Sequence, residues 1–145
     1  MRVAMITLVV RKIIRATPER LFDAWTRPEE LRHWWGPKSV TCIGAEIDLK
    51  VGGRYRIANQ FPDGKVLWIG GEFELIERPS RLIFSWQLEL PAAATERVSV
   101  TFAARVDSTE VTVTHERIAN EATRNLHEQG WLACLDGLAQ YASLP

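Results

Sequence analysis

The stretch RLIFSWQLELPAAATERVSVTFAARVDSTEVTVTH (residues 81–115) decides the fold, because apolar and polar side chains alternate along three successive runs. Neighbouring residues of a β-strand point to opposite faces of a sheet, so this period of two gives one apolar and one polar face. Turn-forming residues at 91–93 and 107–109 separate the runs. The inward positions are Leu82, Phe84, Trp86 and Leu88, then Val98, Val100, Phe102 and Ala104, then Val111, Val113 and His115. The stretch therefore predicts three antiparallel strands that bury one face.

The same pattern continues towards the N-terminus. Further turn signals at 50–53, 62–65 and 78–80 divide residues 39–116 into six strands in all, and Tyr55, Ile57 and Asn59 share the inward face of one of them. The β-branched run Thr7–Ala16 predicts one more strand at the start of the chain. A sheet of seven antiparallel strands is the result.

Two short helices are predicted after the first strand. Thr17 is a capping residue followed by Pro18 and Glu19, and Pro28 repeats this start signal. The second helix ends in LRHWWGP (residues 31–37), where Gly36-Pro37 stops it. Neighbours on a helix point about 100° apart, so the two adjacent tryptophans of this stretch should diverge. Trp34 should pack into the core, while Trp35 should border a chamber with Trp86 and Trp131.

The last segment, residues 118–144, changes to the helical period. Its apolar stripe holds His127, Trp131, Cys134, Leu135, Leu138 and Ala142. Gly130 and Gly137 thin one flank, so another backbone or a ligand can approach there. A sheet of seven strands is too wide for one helix to cover, so it should curl around this helix and leave a cavity between them. We predict one α+β domain over residues 1–145.

Composition excludes several classes of protein. The 18 basic and 18 acidic residues cancel without any run of like charge, which argues against a nucleic-acid or anionic-membrane partner. The apolar run Val3–Val10 is too short for a membrane span and has no cleavage site for a leader. Cys42 and Cys134 stand alone, which fits a reducing cytoplasm. The three histidines and two cysteines lack zinc-type spacing, so no metal is predicted.

Four stretches together resemble a known family: TPERLFDAWTRPEELRHWWGP, DLKVGGRYRI, GEFELIERPSRLIFSW and HEQGWLACLDGLAQY. They are similar to the activator of Hsp90 ATPase homologue 1-like family of the START/Bet v 1-like (SRPBCC) superfamily. The resemblance implies the helix-grip fold, a seven-stranded curved antiparallel sheet wrapped around a long C-terminal helix. It reaches only the C-terminal domain of the eukaryotic Hsp90 activators. We therefore expect that the chain alone does not stimulate an Hsp90-type ATPase.

The same resemblance implies a ligand cavity between sheet and helix, because members of this superfamily bind lipids, hormones and polyketides. Aromatic residues at these spacings otherwise fill a core, and a buried histidine otherwise hydrogen-bonds to a neighbour. A polar mouth is expected from Glu116, Arg124 and Glu128, near the start of the last helix. The candidate ligand-binding residues are Trp35, Tyr55, Phe84, Trp86, Phe102, His115, His127 and Trp131.

Three functions remain open at this point. The preferred one is binding of a small hydrophobic or amphipathic molecule, without a cofactor. The second is a polyketide cyclase or dehydratase in which His115 or His127 acts as a general acid or base, although the sequence shows no carboxylate partner for either. The third is a stress- or chaperone-associated interaction module, which needs an exposed apolar patch that the polar outer face does not offer. An edge strand also allows a homodimer.

Overall fold

A computed structural model of the chain describes residues 5–36 and 39–145, and within these ranges it shows seven strands and three helices. In chain order they are β1 (Ile6–Ile14), α1 (Pro18–Thr26), α2 (Pro28–Trp34), β2 (Thr41–Ile47), β3 (Arg54–Gln60), β4 (Val66–Glu77), β5 (Arg81–Leu88), β6 (Glu96–Arg105), β7 (Ser108–Ile118) and α3 (Glu121–Ala142). The predicted order of one strand, two short helices, six strands and one long helix is confirmed.

The strands form one antiparallel sheet in the order β1-β7-β6-β5-β4-β3-β2. Register shifts interrupt the pairing of β1 with β7, of β2 with β3 and of β4 with β5. Such bulges bend a strand and increase its twist, which helps a wide sheet to curl. The predicted curved α+β architecture is confirmed.

Local signals in the sequence start the helices. Thr17 caps α1 by accepting a hydrogen bond from the backbone N–H of Arg20 at 3.1 Å, and Asn120 caps α3 by accepting from Thr123 N–H at 2.8 Å. Helix α2 ends at Trp34, and Gly36 follows with a φ of 139°. Pro37, the second half of the predicted stop, lies outside the described residues.

Helix α3 packs on β1 and β7 and against both short helices. No helix in the described ranges is long and apolar enough to cross a membrane. The buried residues of α3 are Trp131, Cys134, Leu135, Leu138 and Ala142, as the predicted stripe requires.

The two glycines of α3 have different surroundings. An added Cβ at Gly137 would lie 2.5 Å from the carbonyl oxygen of Trp34, so the backbone of α2 passes directly over this glycine. An added Cβ at Gly130 would meet no atom within 4 Å, because this glycine borders a pocket. The thin flank of the helix thus admits a backbone at one glycine and leaves open space at the other.

Candidate functional site

An open pocket of about 460 Å³ lies between strands β3, β4 and β5 and the first half of α3. Helix α3 leans on the β1 and β7 side of the sheet, so the opposite side of the helix faces this gap. The lining residues are Trp35, Ser39, Val40, Asn59, Phe61, Pro62, Leu67, Ile69, Trp86, Leu88, Leu126, His127, Gln129, Gly130, Trp131 and Cys134. The walls are therefore mainly apolar and aromatic.

The space deeper under the sheet is almost filled. A void of about 20 Å³, bordered by Trp25, Tyr55 and Phe84 among others, has room for about one water molecule. Tryptophan rings occupy this region, since Trp25 stacks on Trp131 at 5.9 Å and meets Trp34 at 4.9 Å between ring centroids. Between the sheet and α3, the described residues therefore leave room for a ligand beside the first half of the helix and almost none deeper under the sheet.

The adjacent tryptophans do diverge, as predicted. Trp34 is buried and donates its indole N–H to the carbonyl of Ala24 at 2.9 Å. Trp35 donates to Oδ1 of Asn59 at 3.0 Å and lines the pocket with Trp86 and Trp131. They diverge because the helix ends between them, and not because neighbouring residues of one helix point about 100° apart. Trp35 is the C-cap, with extended backbone (φ −70°, ψ 136°).

The structure divides the candidate ligand-binding residues into groups. Four of them line the pocket: Trp35, Trp86, His127 and Trp131. Tyr55 and Phe84 border only the small void. Phe102 is away from both spaces, packed against the rings of Phe22 and Trp25 under α1, and His115 is fully buried next to His127.

The expected polar mouth is wrong in its residues. Glu116, Arg124 and Glu128 do not line the pocket, and Arg124 instead pairs with Glu128 at 3.0 Å on the surface of α3. Glu128 follows His127 directly and therefore points about 100° away from it around α3. Glu116 follows His115 on β7, so its side chain points to the opposite face of the sheet. The polar side chains on the pocket lining are Ser39, Asn59, His127 and Gln129.

Three titratable residues meet beside the pocket, one each from β6, β7 and α3. Oε1 of Glu96 lies 2.8 Å from Nε2 of His115 and 2.8 Å from Nε2 of His127. The two imidazole rings stack, with centroids 4.1 Å apart. Trp131 completes the group by donating its indole N–H to Nδ1 of His115 at 3.0 Å. We call these four residues the histidine cluster.

The protonation of the histidine cluster follows from its hydrogen bonds. An indole N–H can only donate, so Nδ1 of His115 must be an acceptor and its proton must lie on Nε2. Burial alone would raise the pKa of Glu96, but the bonds from both histidines outweigh it and lower that pKa to about 2. Burial lowers the pKa of His115, against the opposing pull of Glu96. An ionised Glu96 thus accepts N–H from a neutral His115 and from His127.

This arrangement corrects the expectation that the cavity histidines lack a carboxylate partner. Glu96 is 7 % exposed and bonds to both of them. A signal for it was present in the alternation: two residues before Val98, Glu96 is in phase with Val98, Val100 and Phe102 on the inward face. An acidic residue at an inward position of an apolar strand needs a buried partner, and that partner is the pair of histidines.

The same three side chains raise the question of a metal site. One ligand atom from each of Glu96, His115 and His127 lies within 4.8 Å of the others. Zinc-type spacing detects only ligands close in sequence, and these three residues come from β6, β7 and α3. The hydrogen bonds do not fit a metal, however. An imidazole that binds a metal through Nε2 keeps its proton on Nδ1, where His115 receives the N–H of Trp131.

Solved structures of bacterial proteins share this fold. A protein of Chromobacterium violaceum is 22% identical, with 96% of this chain and 98% of that one covered and a TM-score of 0.89. The AHSA1-like protein of Aeromonas hydrophila is 24% identical, with coverage of 94% and 91% and a TM-score of 0.77. An AHSA1 protein of Silicibacter pomeroyi is 20% identical, with coverage of 93% and 96% and a TM-score of 0.81.

Sequence similarity identifies a family for this chain, whereas its similarity to the solved structures shows only the fold. A family model described as activator of Hsp90 ATPase homolog 1-like protein matches residues 15–143. That range begins at the end of β1 and runs through the last residues of α3, so it includes both short helices and the whole pocket. Among curated proteins, none matches the chain significantly.

Proposed function

The chain belongs to the activator of Hsp90 ATPase homolog 1-like family, and from that premise we propose that it binds a small amphipathic molecule in the tryptophan-lined pocket. The observation that carries this proposal is the pocket itself. Its volume of about 460 Å³ lies within the range of roughly 300–1,000 Å³ that is usual for small-ligand sites.

The pocket walls support a largely apolar ligand. Ile69 and Leu88, which are register partners on β4 and β5, lie on the sheet side. Trp131 and the backbone at Gly130 lie on the helix side. A molecule between them would remove apolar surface from water on both of its faces, and each buried Å² contributes about 25 cal/mol.

Polar groups at the pocket favour a ligand with a polar end. His127 lies on the lining and is held by Glu96, while the side-chain oxygen of Asn59 is already used by Trp35. An ordered polar group in a mainly apolar pocket orients a ligand and adds specificity. The amphipathic ligand would lie with its polar end at His127.

The test uses N-phenyl-1-naphthylamine, a neutral fluorophore that brightens in apolar sites and should quench the pocket tryptophans. Gly130→Leu fills the pocket from the helix side, where an added Cβ would meet no protein atom within 4 Å. Ala122→Leu is the matched control, because Ala122 is exposed on the same helix and does not line the pocket. We expect tight binding by the original protein and by the control, and at least tenfold weaker binding by Gly130→Leu. Absent binding, or equal binding by all three proteins, would contradict the proposal.

A second candidate is an enzyme that moves a proton, and the bond between Glu96 and His127 specifically favours it. A histidine whose one nitrogen donates to a carboxylate can accept a proton at the other. The suitable reaction would be removal of a proton next to a carbonyl, with the electron pair passing into the enolate. Solvent deuterium exchange into 2-tetralone, followed by NMR, tests this activity. Deuterium exchange should be faster with the original protein than with His127→Gln. Equal exchange rates would contradict a role of His127 as the base in this reaction.

A further inference from the structure

The direction of hydrogen bonding through the histidine cluster fixes what His127 presents to the pocket. The N–H of Trp131 points to Nδ1 of His115, and the N–H at Nε2 of His115 points to Glu96. The carboxylate of Glu96 can only accept, so the proton at Nε2 of His127 also points to it. In neutral His127, therefore, Nδ1 carries a lone pair.

This lone pair is not used by the protein. Nδ1 of His127 has no hydrogen-bond partner in residues 5–36 and 39–145, and it is not among their buried unpartnered atoms. The side chain is 17 % exposed and lies on the pocket lining. An occupant of the pocket with a hydrogen-bond donor can therefore reach an acceptor that is already oriented by Glu96.

A second unsatisfied group belongs to Trp86, another residue of the pocket lining. The indole N–H of Trp86 is buried and has no partner in the described part of the chain. The ring of Trp86 stands nearly perpendicular to that of His127, with centroids 6.0 Å apart. An unpartnered buried donor destabilises the folded protein, so an oxygen that accepts a hydrogen bond from it would remove part of that destabilisation. A hydroxyl group is a donor and an acceptor at once, so its chemistry matches both unsatisfied groups.

Charge around the cluster disfavours an anionic ligand. Glu96 is ionised and stands directly behind His127. The nearest turn of α3 carries Arg124 and Glu128, but these two pair with each other. A carboxylate at the polar end would therefore be repelled by the charge of Glu96, and none of the described lining residues is a Lys or Arg that would offset this repulsion.

We propose that the pocket selects molecules with one neutral hydroxyl on an apolar body, phenols and alcohols, and that this hydroxyl donates to Nδ1 of His127. The inference rests on the proposed binding function and narrows its ligand class. Under this proposal Glu96 and His115 are positioning residues. Glu96 accepts the proton of His127 Nε2 and so leaves Nδ1 as the acceptor, and His115 donates to Glu96.

Three naphthalene probes of nearly equal size separate the alternatives: 2-naphthol donates and accepts, 2-methoxynaphthalene only accepts, and 2-naphthoate is an anion. Isothermal titration calorimetry measures the affinity of each probe. We expect 2-naphthol to bind about tenfold more tightly than 2-methoxynaphthalene, and 2-naphthoate to bind most weakly. On addition of 2-naphthol, the ¹⁵N resonance of Nδ1 in His127 should move away from the value of a free lone pair.

Two variants separate the donor and acceptor contributions. His127→Phe keeps an aromatic ring but removes the acceptor, so the preference for 2-naphthol should disappear while 2-methoxynaphthalene still binds. Trp86→Phe removes the indole donor together with one ring but leaves the acceptor of His127, so 2-naphthol and 2-methoxynaphthalene should both bind more weakly while the ratio of their affinities stays the same. Equal affinity for these two probes in the original protein, or tightest binding of 2-naphthoate, would overturn the inference and leave the proposed binding function standing. If no probe binds, the binding function itself fails.

Discussion

The two glycines of α3 give a matched experiment on how the pocket and the core are built. Both are interior positions of one helix, seven residues apart, so Gly→Ala changes the same intrinsic preference at each. Only the surroundings differ. At Gly130 a new methyl group would enter the open pocket, and at Gly137 it would lie 2.5 Å from the carbonyl oxygen of Trp34.

The expected energies follow from these distances. Alanine is favoured over glycine in a helix interior by about 1 kcal/mol, so Gly130→Ala should raise the free energy of unfolding by about 0.5–1 kcal/mol. At Gly137 the same gain is opposed by an overlap that separates α2 from α3 or shifts both. Overpacking of this kind costs about 1–3 kcal/mol. Gly137→Ala should therefore be less stable than Gly130→Ala by about 1–3 kcal/mol.

Urea unfolding followed by tryptophan fluorescence and by circular dichroism measures both variants against the original chain. Equal stabilisation by the two substitutions would refute the close approach of α2 to Gly137. Destabilisation by Gly130→Ala would refute the open space beside that glycine. Because α2 carries Trp35 at its end, Gly137→Ala should also weaken binding of N-phenyl-1-naphthylamine.

Three further predictions concern buried polar groups. The folded-state pKa of Glu96, about 2, and that of His115 lie below the ordinary values of 4.5 and 6.5. Both groups thus bind a proton less readily in the folded protein than in the unfolded chain. As the pH is lowered, the free energy of unfolding should therefore decrease, first below about pH 6.5 because of His115 and again between about pH 4.5 and 2 because of Glu96. Denaturant titrations at stepped pH measure this, and an unchanged stability from about pH 7 to pH 4 would contradict it. Trp35→Phe should cost about 1–3 kcal/mol by leaving Oδ1 of Asn59 without its donor, and a double-mutant cycle with Asn59→Leu should recover part of that cost. Burial raises the pKa of Cys134 to about 12, so little thiolate forms near neutral pH and thiol reagents should modify this residue slowly although it lines the pocket; labelling as fast as that of a free thiol would contradict this.

The local structure of this protein could be predicted from sequence because its causes are local. Alternation from Leu82 to Leu88 places every second side chain inward whatever the rest of the chain does. Thr17 caps its helix through a neighbour three residues away, and the turns fall where Gly, Pro and Asp residues permit them. These signals were sufficient to predict the order of the strands and helices, the antiparallel sheet and the long helix that the sheet surrounds.

Individual residues of the candidate site could be predicted from the sequence, but the contacts between them could not. Trp86, His127 and Trp131 could each be identified as inward-facing from the period of its own strand or helix. The bonds of Glu96 depend on partners 19 and 31 residues away. They form because strand register places Glu96 opposite Trp86, and Val98, its neighbour in phase, opposite His115. No short-range pattern contains that information.

By itself, then, the sequence determined which side chains face inward and which elements carry them, because strand and helix periods act over a few residues. Only the tertiary structure decided how the interior volume is divided. Helix α3 lies towards β1 and β7, so tryptophans fill one part of the space and a pocket opens on the other side. That choice depends on how whole side chains pack against one another across the sheet and three helices, and on the close approach that Gly137 allows to the backbone of Trp34.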